Sequence, residues 1–439
     1  MIILDAFRQS LLIPLFAALR AGESCAVVGV SSVGKTRLLD FIFHSDAQQH
    51  YLPTTAPLRF VRADANRAAE LSEWGLYELL LTTFIEAASG LPEAVQHRLA
   101  ALRAEAILHK NALLAQRHLE TAAHILCAEH GLRLAIVLDE FDDFYTKLPA
   151  AALANLRALR DLVKPHNYGI SYVLMLRHAP ARLRDPDECQ GFYELLSRNV
   201  LGLRPYDRAD ALGVLDHAQM RRNKVLPDAV RERILIQSGG HGGLLDALVS
   251  TSDQDAAGAA ALASAPVIEE CRKIWGSLDE DERNYLIQRA AGLALQPNDP
   301  ARASLILKGI FSEHETQVFS PLFESYVVTY GNTANRKLWL DESKHTVWIG
   351  NQSISNLSAK EFSLMKLLYA HAGDIVKRDD VLTTVYPGEV TRDNETDENR
   401  LDAFMRRLRG KIEPVPSHPV YLLTKPGVGY KLVIETSLK

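Results

Sequence analysis

The sequence predicts a multidomain α/β protein, and two patterns indicate this fold class. In the N-terminal half, compact apolar runs alternate with longer segments of helical spacing, as strands and helices do in a three-layer domain with a parallel sheet. The runs predicted as strands are residues 23–29, 57–65, 132–140 and 169–177. After about residue 203 helical segments follow, and the last hundred residues or so combine short strands with three helices. The expected regions are residues 1–203, 204–255, 256–335 and 336–439.

Composition and charge exclude several classes of protein. With 439 residues, of which 47% are hydrophobic, the chain is too apolar to be disordered. A net charge of −5 excludes a protein that coats nucleic acid over its whole surface, although it permits a local basic face. The four cysteines lie far apart, which favours neither a disulfide framework nor a zinc site. The apolar run at residues 11–19 is too short to span a bilayer, so we expect a cytoplasmic protein without a signal peptide or membrane anchor.

Residues 29–36, GVSSVGKT, match the phosphate-binding pattern G-x-x-x-x-G-K-[ST]. Glycines in such a loop let backbone N–H groups approach a phosphate, and the helix that follows adds the positive end of its dipole. Lys35 can reach the β- and γ-phosphates of ATP, and the Thr36 hydroxyl can bind Mg²⁺. The pattern lies between an apolar strand and a helical segment, which favours a functional loop over a chance match. The residues expected to contact the nucleotide are Gly29, Ser32, Val33, Gly34, Lys35, Thr36 and Arg37.

Two later strands end in residues suited to the same chemistry. Asp139 is expected to hold Mg²⁺, and Glu140 to orient or deprotonate the attacking water. Arg177 would sense or stabilise charge on the γ-phosphate. Each has a plainer interpretation: the acidic pair could begin a solvated turn that continues through Asp142 and Asp143, and Arg177 could be an exposed residue that caps its strand.

Together these motifs resemble those of the AAA+/STAND group of P-loop NTPases. The resemblance covers roughly residues 5–255 and includes GVSSVGKT, IVLDE, the strand ending in Arg177 and the segment SGGHGGLLDALV. It implies a P-loop NTPase parallel sheet with a helical lid, in which the bound nucleotide is coupled to an open or closed arrangement of the domains, often with homo-oligomerisation. Slow ATP hydrolysis by Glu140 would reset such a switch. A proline of the family's lid often lies by the base, and this chain has Gly242 there. His241 is either a nucleotide or switch residue or a plain turn histidine.

A small helical, winged-helix-like domain is expected next, because such a module often follows these ATPases. Within it, the segments KGIF and QVFSPLFESYVVTY are predicted as two short strands joined by a turn. Ser277, three residues before Glu280, is predicted to form a capping box at the start of a helix.

The C-terminal region follows the order of a winged helix-turn-helix domain. Two strands precede a helix within residues 354–373, whose predicted N-cap is Ser358 with Glu361 at the reciprocal position. A second short helix, a third helix at residues 399–412 and a closing hairpin follow.

The third of these helices is amphipathic. Its predicted buried stripe consists of Leu401, Met405, Leu408 and Ile412. Its other faces carry five basic side chains and one acidic one, namely Arg400, Arg406, Arg407, Arg409, Lys411 and Asp402. This distribution favours a helix that lies in the major groove of DNA over a merely solvated basic face. Phe404 is left open between the edge of the core and contact with a thymine methyl group.

This region strongly resembles the OmpR/PhoB-type DNA-binding domain, through LSAKEFSLMKLLYAHAGDIVKRDDVL, RLDAFMRRLRGKIE and VYLLTKPGVGYKL. By resemblance, the residues facing bases are Asp402, Ala403 and Arg406. Those serving phosphates or structure are Arg400, Arg407, Arg409, Thr424 and Tyr430. Because Pro426 replaces the basic residue usual in the wing, a minor-groove contact would come from Lys425. The loop at residues 387–400, which can touch RNA polymerase in the family, is longer and more acidic here.

The favoured function is an ATP-dependent, DNA-binding transcription regulator in which nucleotide binding or hydrolysis switches the C-terminal winged helix. The expected cofactors are ATP and Mg²⁺, and the expected partners are double-stranded DNA, RNA polymerase and further copies of the chain. One alternative is a DNA-tethered ATPase acting in defence, transposition or replication initiation. Another is an ATP-binding sensor whose winged helix docks a protein.

Overall fold

The computed structural model describes most of the chain. The described residues are 7–52, 58–165, 169–251, 264–293, 295, 296, 298–311, 317–330, 338–349, 352–388, 394–413, 416 and 419–434. The chain divides into two compact units. The first unit is made of residues 1–285 and 295–323, and the second of residues 286–294 and 324–439.

A five-stranded parallel sheet forms the centre of the first unit. Its strands are β1 (Cys25–Val28), β2 (Leu58–Asp64), β3 (Arg133–Asp139), β4 (Ile170–Leu176) and β5 (Val200–Gly202). The spatial order is β2-β3-β4-β1-β5. The four apolar runs are therefore confirmed as strands, and the loop after β1 meets the ends of β3 and β4 at one edge of the sheet, because parallel strands all end there.

Helices cover the sheet and continue beyond it. The helices up to residue 251 are α1 (Gln9–Arg20), α2 (Lys35–Phe43), α3 (Ser45–Tyr51), α4 (Glu73–Ala87), α5 (Glu93–His109), α6 (Ala112–Ala123), α7 (Asp142–Lys147), α8 (Ala150–Val163), α9 (Pro180–Leu183), α10 (Gln190–Ser197), α11 (Arg208–Arg222), α12 (Asp228–Ser238) and α13 (Gly242–Thr251). The last three of these form the helical segment expected as a lid. Residues of β3, β4, α4, α6 and α8 form a continuous buried cluster that includes the fully buried rings of Tyr77 and Tyr172.

The segment after α13 is more helical than the sequence predicted. Its helices are α14 (Ala265–Gly276), α15 (Glu280–Ala290), α16 (Pro300–Leu307) and α17 (Pro321–Tyr330). The two predicted strands are wrong: among the described residues, they are reduced to one β-bridge between Phe311 and Val318, and α17 takes up most of the second run. The capping box at the start of α15 is also shifted, because Asp279 and Glu282, rather than Ser277 and Glu280, exchange reciprocal bonds of 2.9 Å.

The C-terminal part of the second unit has the winged-helix order. An antiparallel sheet of β6 (Leu338–Asp341), β7 (Thr346–Ile349) and β8 (Gln352–Ile354) comes first. It is followed by α18 (Ala359–Ala370), β9 (Ile375–Lys377), α19 (Arg378–Val385), α20 (Asn394–Ile412), β10 (Leu422–Lys425) and β11 (Gly429–Leu432). The last hairpin pairs with β9 in the order β10-β11-β9. The capping box of Ser358 and Glu361 is confirmed at the start of α18.

The predicted buried stripe of the third helix is also confirmed, because each of its four side chains is at most 2% exposed. Phe404 joins them in the core of this domain. In the part of the chain that the structure describes, every helix is too short or too polar to cross a bilayer.

Candidate nucleotide-binding site and DNA interface

The loop between β1 and α2 has the backbone shape that a phosphate loop requires. Ser32 and Gly34 have φ angles of 57° and 110°. A Cβ atom at Gly34 would also overlap the hydroxyl oxygen of Tyr206, so that position is open to glycine alone. At Gly29 a Cβ atom would lie 2.9 Å from Leu203, which shows how closely this glycine packs against the chain beyond β5.

A cleft of about 400 Å³ opens over this loop, a size suited to a small ligand. It is lined by Ser31, Ser32, Gly34, Lys35, Thr36, Glu140 and Arg177. The fold thus brings together both predicted catalytic residues with the predicted loop lysine and threonine. Val33 is buried in the core, and Arg37 lies on α2 outside the residues that line the cleft.

The lysine and the glutamate of the cleft already face each other. Lys35 Nζ lies 3.8 Å from Glu140 Oε1. Glu140 has a φ angle of 50°, so the chain turns sharply where it leaves β3 and points this carboxylate into the cleft. An incoming phosphate would compete with Glu140 for the ammonium group of Lys35.

The carboxylate predicted to hold Mg²⁺ has a protein cation beside it. Asp139 is 4% exposed, and the Arg62 guanidinium of β2 lies 2.5 Å from its Oδ2 through Nη2 and 3.1 Å through Nε. The other oxygen of Asp139 accepts the N–H of Glu140. The oxygen donors of Asp139 and Thr36 are the kind that Mg²⁺ prefers, so the donor set fits the ion. Mg²⁺ bound there would nevertheless have to compete with Arg62, a residue that the sequence patterns did not single out.

Arg177 is held in place by Asp142. Its backbone N–H donates to Asp142 Oδ1 at 2.8 Å, and its Nε lies 3.5 Å from Oδ2. Asp142 is 4% exposed, so the alternative interpretation, that it belongs to a solvated acidic turn, is wrong for this residue. Asp143, in contrast, is exposed. Asp142 therefore orients the side chain of Arg177, which lines the cleft.

Arg8 secures the far side of the loop. Its guanidinium donates to the carbonyl oxygens of Val33 (2.8 Å) and Arg204 (2.6 Å) and stacks over the Tyr206 ring at 3.9 Å. Burial lowers the pKa of Arg8, and the nearby carboxylates of Asp207 and Asp210 act in the opposite direction. No sequence pattern identified this residue, because its partners lie up to about two hundred positions away in the chain.

A buried charge cluster lies just beyond the cleft. The Lys308 ammonium is 2.7 Å from the carboxylate of Glu282 and 3.1 Å from His178 Nδ1, and both Lys308 and Glu282 are fully buried. His178 follows Arg177 directly. Burial and the charge of Lys308 lower the pKa of His178 to about 4. Although His178, Asp279 and Glu282 could together ligate a metal ion, the ammonium of Lys308 already neutralises this group.

In the C-terminal domain, the basic residues of α20 fall into two sets. Arg406 and Arg407 are exposed, next to exposed Asp402 and Ala403. Arg409 instead donates to the Leu422 carbonyl at 2.8 Å and to Thr424 Oγ1 at 2.7 Å, which ties the helix to the final hairpin.

Two further basic side chains also have partners within the domain. Lys411 donates to Glu361 at 2.7 Å, and the Arg400 guanidinium lies over the Tyr386 ring at 4.3 Å. The exposed basic side chains on this face of the helix are therefore Arg406 and Arg407, although the Arg407 guanidinium also lies 5.8 Å from the centroid of the Phe404 ring.

The other predicted DNA-binding residues lie on the final hairpin and differ in their exposure to solvent. Thr424 and Lys425 are exposed, so they lie where a wing could meet DNA. Tyr430 is 1% exposed, and its hydroxyl donates to Asp402 Oδ1 at 3.3 Å; burial raises the pKa of Tyr430. Of the loop predicted to touch RNA polymerase, residues 389–393 lie outside the described residues, and α20 begins at Asn394.

Comparison with known proteins identifies the C-terminal domain. Residues 351–432 match the family described as "Transcriptional regulatory protein, C terminal". The sensory transduction protein RegX3 of Mycobacterium tuberculosis is 36% identical over 93 residues, which are 21% of this chain and 39% of that protein. The probable transcriptional regulator ycf27 of Guillardia theta is 34% identical over 108 residues, 25% of this chain and 41% of that protein. The chain thus spans about two-fifths of the length of these relatives.

Two solved structures resemble the chain more distantly. A Walker-type ATPase of Pyrococcus abyssi has a TM-score of 0.46 and 16% identity, covering 74% of this chain and 96% of that one. The ADP form of the ORC2 protein of Aeropyrum pernix has a TM-score of 0.39 and 12% identity, covering 97% and 89%. The P-loop fold of the first unit is assigned from its own sheet order and loop geometry.

Proposed function

Because the C-terminal domain is of the OmpR/PhoB type, we propose that this chain is an ATP-dependent, DNA-binding transcription regulator. One observation carries the proposal: the same chain has a phosphate-loop cleft and a winged-helix domain whose third helix exposes Arg406 and Arg407. Binding or hydrolysis of ATP switches the affinity of that domain for DNA. The regulator acts in the cytoplasm, on double-stranded DNA, and RNA polymerase is its partner at the promoter.

The nucleotide end of the switch uses the residues that line the cleft. Lys35 binds the β- and γ-phosphates, and Thr36 and Asp139 are the residues that would hold Mg²⁺. When bound, Mg²⁺ supplies Lewis-acid stabilisation of the phosphate oxygens. Glu140 orients the attacking water, and Arg177, already aligned by Asp142, senses the γ-phosphate. Hydrolysis is slow and resets the switch.

The DNA end of the switch is the solvent side of α20 with the tip of the final hairpin. Arg406, beside Ala403 and Asp402, reaches base edges in the major groove, where a bidentate arginine contributes ~1–3 kcal/mol of discrimination. Arg407 and Arg400 contact phosphates, which makes the affinity depend on salt. Arg409, Thr424 and Tyr430 hold the helix against the hairpin, and Lys425 enters the minor groove.

Nucleotide binding and DNA binding are coupled through the arrangement of the modules and through assembly of several copies. A tenfold change in DNA affinity corresponds to about 1.4 kcal/mol of coupling free energy, within the usual range for allosteric proteins. By linkage, DNA must then strengthen or weaken nucleotide binding by the same factor.

Two variants separate the two ends of the switch. Chromosomal fragments recovered by the ATP-loaded chain give a duplex probe, whose affinity is measured by fluorescence anisotropy with and without ATP and Mg²⁺. We expect Lys35→Ala to abolish the response to ATP, and Arg406→Ala with Arg407→Ala to weaken DNA binding in both conditions. Lys344→Ala is the matched control, because Lys344 is an exposed basic residue in the β6–β7 turn of the same domain.

The proposal is wrong if the Lys35→Ala chain binds the duplex and drives a reporter as the unsubstituted chain does. ATP turnover that is indifferent to promoter sequence, together with unchanged reporter transcription, would instead indicate a DNA-tethered ATPase. Unchanged DNA binding after both arginines are removed would indicate a winged helix used for docking a protein.

A further inference from the structure

One residue of the phosphate loop is held from two sides by elements that follow the sheet. The N–H of Ser31 donates to the hydroxyl oxygen of Ser277 (3.2 Å), and its carbonyl oxygen is 2.9 Å from His241 Nε2. The carbonyl oxygen of the next residue, Ser32, accepts the N–H of Gly243 at 3.0 Å. All three partners are far from the loop in sequence, and all lie in the first unit.

The bonds of His241 define one neutral tautomer. The residue is fully buried, and its Nδ1 accepts the N–H of Leu244 (3.3 Å) in the first turn of α13. Its Nε2 must therefore carry the hydrogen and donate it to Ser31. Burial lowers the pKa of His241 to about 4, which is consistent with a neutral ring. Its ring also packs against Phe319, with centroids 5.9 Å apart.

Ser277 is available for the loop because it does not cap α15. Its hydroxyl donates to the Ile274 carbonyl at 2.7 Å, at the end of α14, and accepts from Ser31 with its oxygen. The capping box at the start of α15 is formed by Asp279 and Glu282 instead. Ser277 is 1% exposed, so its hydroxyl is held in place by the surrounding residues as a partner for the Ser31 N–H.

The lid helix also approaches the loop too closely for a side chain to intervene. A Cβ atom at Gly243 would lie 2.7 Å from Ser32 Cβ and would overlap the Glu270 carboxylate. One at Gly242 would lie 3.2 Å from the Ser32 carbonyl oxygen. The two glycines after His241 therefore permit the backbone contact that brings the imidazole to Ser31.

We propose that His241 and Ser277 are positioning residues for nucleotide binding. They fix the Ser31 peptide, so that the N–H groups following it in the loop are oriented for phosphate before the ligand arrives. This inference rests on the proposed function, because it assumes that the cleft binds a nucleotide. Preorganisation of this kind raises affinity because the loop does not have to be ordered during binding.

Breaking either bond removes a partner of the half-buried Ser31 backbone, and the loop then relaxes to other conformations. We expect nucleotide affinity to fall about tenfold for each lost bond, the factor that corresponds to the net contribution of one hydrogen bond. The loss of nucleotide affinity should depend on which hydrogen bond is broken, and not on how much the volume of the side chain changes.

The test is a titration of the full chain with a fluorescent ATP analogue and Mg²⁺. In His241→Gln, the amide nitrogen can take the place of Nε2 and still donate to Ser31, so binding should stay within about threefold of the unsubstituted chain. In His241→Asn, the amide oxygen can replace Nδ1 as acceptor for Leu244, but the shorter side chain cannot reach Ser31. Affinity should then fall about tenfold, and Ser277→Ala should have a similar effect.

Ser238→Ala and Ser320→Ala are the matched controls. Both hydroxyls belong to buried serines that bond nearby backbone, Ser238 at the end of α12 and Ser320 just before α17, and neither bonds the loop. Both variants should bind the analogue as the unsubstituted chain does.

The inference is overturned if His241→Asn and Ser277→Ala bind as tightly as the unsubstituted chain, or if the control variants lose as much affinity as they do. Should His241→Asn fail to fold, Ser277→Ala decides, because it removes only one hydroxyl. If the unsubstituted chain does not bind the analogue, the proposed function fails together with this inference. Tight binding by the unsubstituted chain with no effect of the variants overturns the positioning role alone.

Discussion

The buried imidazole of His241 makes the first unit sensitive to acid, and the effect can be calculated. In the folded chain its pKa is lowered to about 4, because burial disfavours the charged ring and the hydrogen bond to the Ser31 carbonyl opposes this only in part. In the unfolded chain the pKa returns to its ordinary value of 6.5. The unfolded state therefore binds the proton more readily than the folded state. The contribution of the neutral His241 ring to the free energy of unfolding is complete above pH 6.5 and is lost as the pH falls from 6.5 towards 4.

The magnitude follows from these two values. At pH 5 about thirty unfolded chains carry the proton for each one that does not, whereas the folded chain remains almost entirely neutral. This ratio corresponds to ~2 kcal/mol of unfolding free energy lost between pH 7 and pH 5 through this one residue. His178 adds a loss over the same range, because its folded pKa is also about 4.

Comparison of two chains isolates the His241 contribution. The free energy of unfolding is measured by urea titration at pH 7 and pH 5 for His241→Gln and for the unsubstituted residue, both carrying Trp339→Phe and Trp348→Phe. Fluorescence then reports only on Trp74 and Trp275, which are both buried in the first unit. His178 is present in both chains and cancels.

The His241→Gln chain should lose ~2 kcal/mol less than its parent on acidification. Equal losses in the two chains would refute the reasoning, because the titrating group would then lie elsewhere.

Three further predictions concern charges. Arg62→Ala should increase the Mg²⁺ affinity of the nucleotide complex about three- to tenfold by freeing Asp139, a modest factor because Arg62 is half-exposed; an unchanged Mg²⁺ titration would contradict it. Lys308→Met should destabilise the first unit by ~3–5 kcal/mol, because it leaves the Glu282 carboxylate buried without its cation. Adding Glu282→Gln should restore much of this loss in thermal unfolding, and no recovery would count against the explanation. Arg406→Ala should relax the sequence specificity of DNA binding and leave the log–log slope of affinity against salt unchanged, because Arg406 reaches base edges; a slope smaller by about 1 with unchanged specificity would contradict this and indicate a phosphate contact.

The sequence predicted the elements whose signal is local. The four apolar runs became β1 to β4 because buried parallel strands need continuous apolar residues. The fifth strand, Val200–Gly202, has only three residues, too few to show a period. The incorrectly predicted strand at residues 317–330 contains aromatic and β-branched residues, which favour strands in general. Within α17, however, the buried residues are Leu322, Phe323, Tyr326 and Val327, and this spacing is that of a helix.

The residues of the site differ in the same way, because some are neighbours in the sequence and others are brought together only by the fold. The loop motif and the acidic end of β3 could be found because their residues are consecutive. Arg62 and Asp139 are separated by 77 positions, and His241 and Ser31 by 210. Such pairs depend on which elements the fold places side by side, and a single sequence contains no signal for them. The indirect signal for His241 was its place between two pairs of glycines, which indicated a close backbone approach without indicating to what.

The pairing of charges around the cleft determines how a nucleotide would act as a switch. Lys35 faces Glu140, and Arg62 faces Asp139, so the phosphates and Mg²⁺ of a nucleotide meet residues that already have partners. Under the proposed function, binding would be an exchange: phosphate would replace Glu140 beside Lys35, and Asp139 would hold Mg²⁺ in place of its ion pair with Arg62. The exchange would release one carboxylate and one guanidinium at the same edge of the sheet. A two-state switch needs two distinct arrangements, and here these are the ion pairs within the protein and the contacts with the nucleotide. A ligand shifts the equilibrium between the two arrangements only if it binds one of them more tightly than the other.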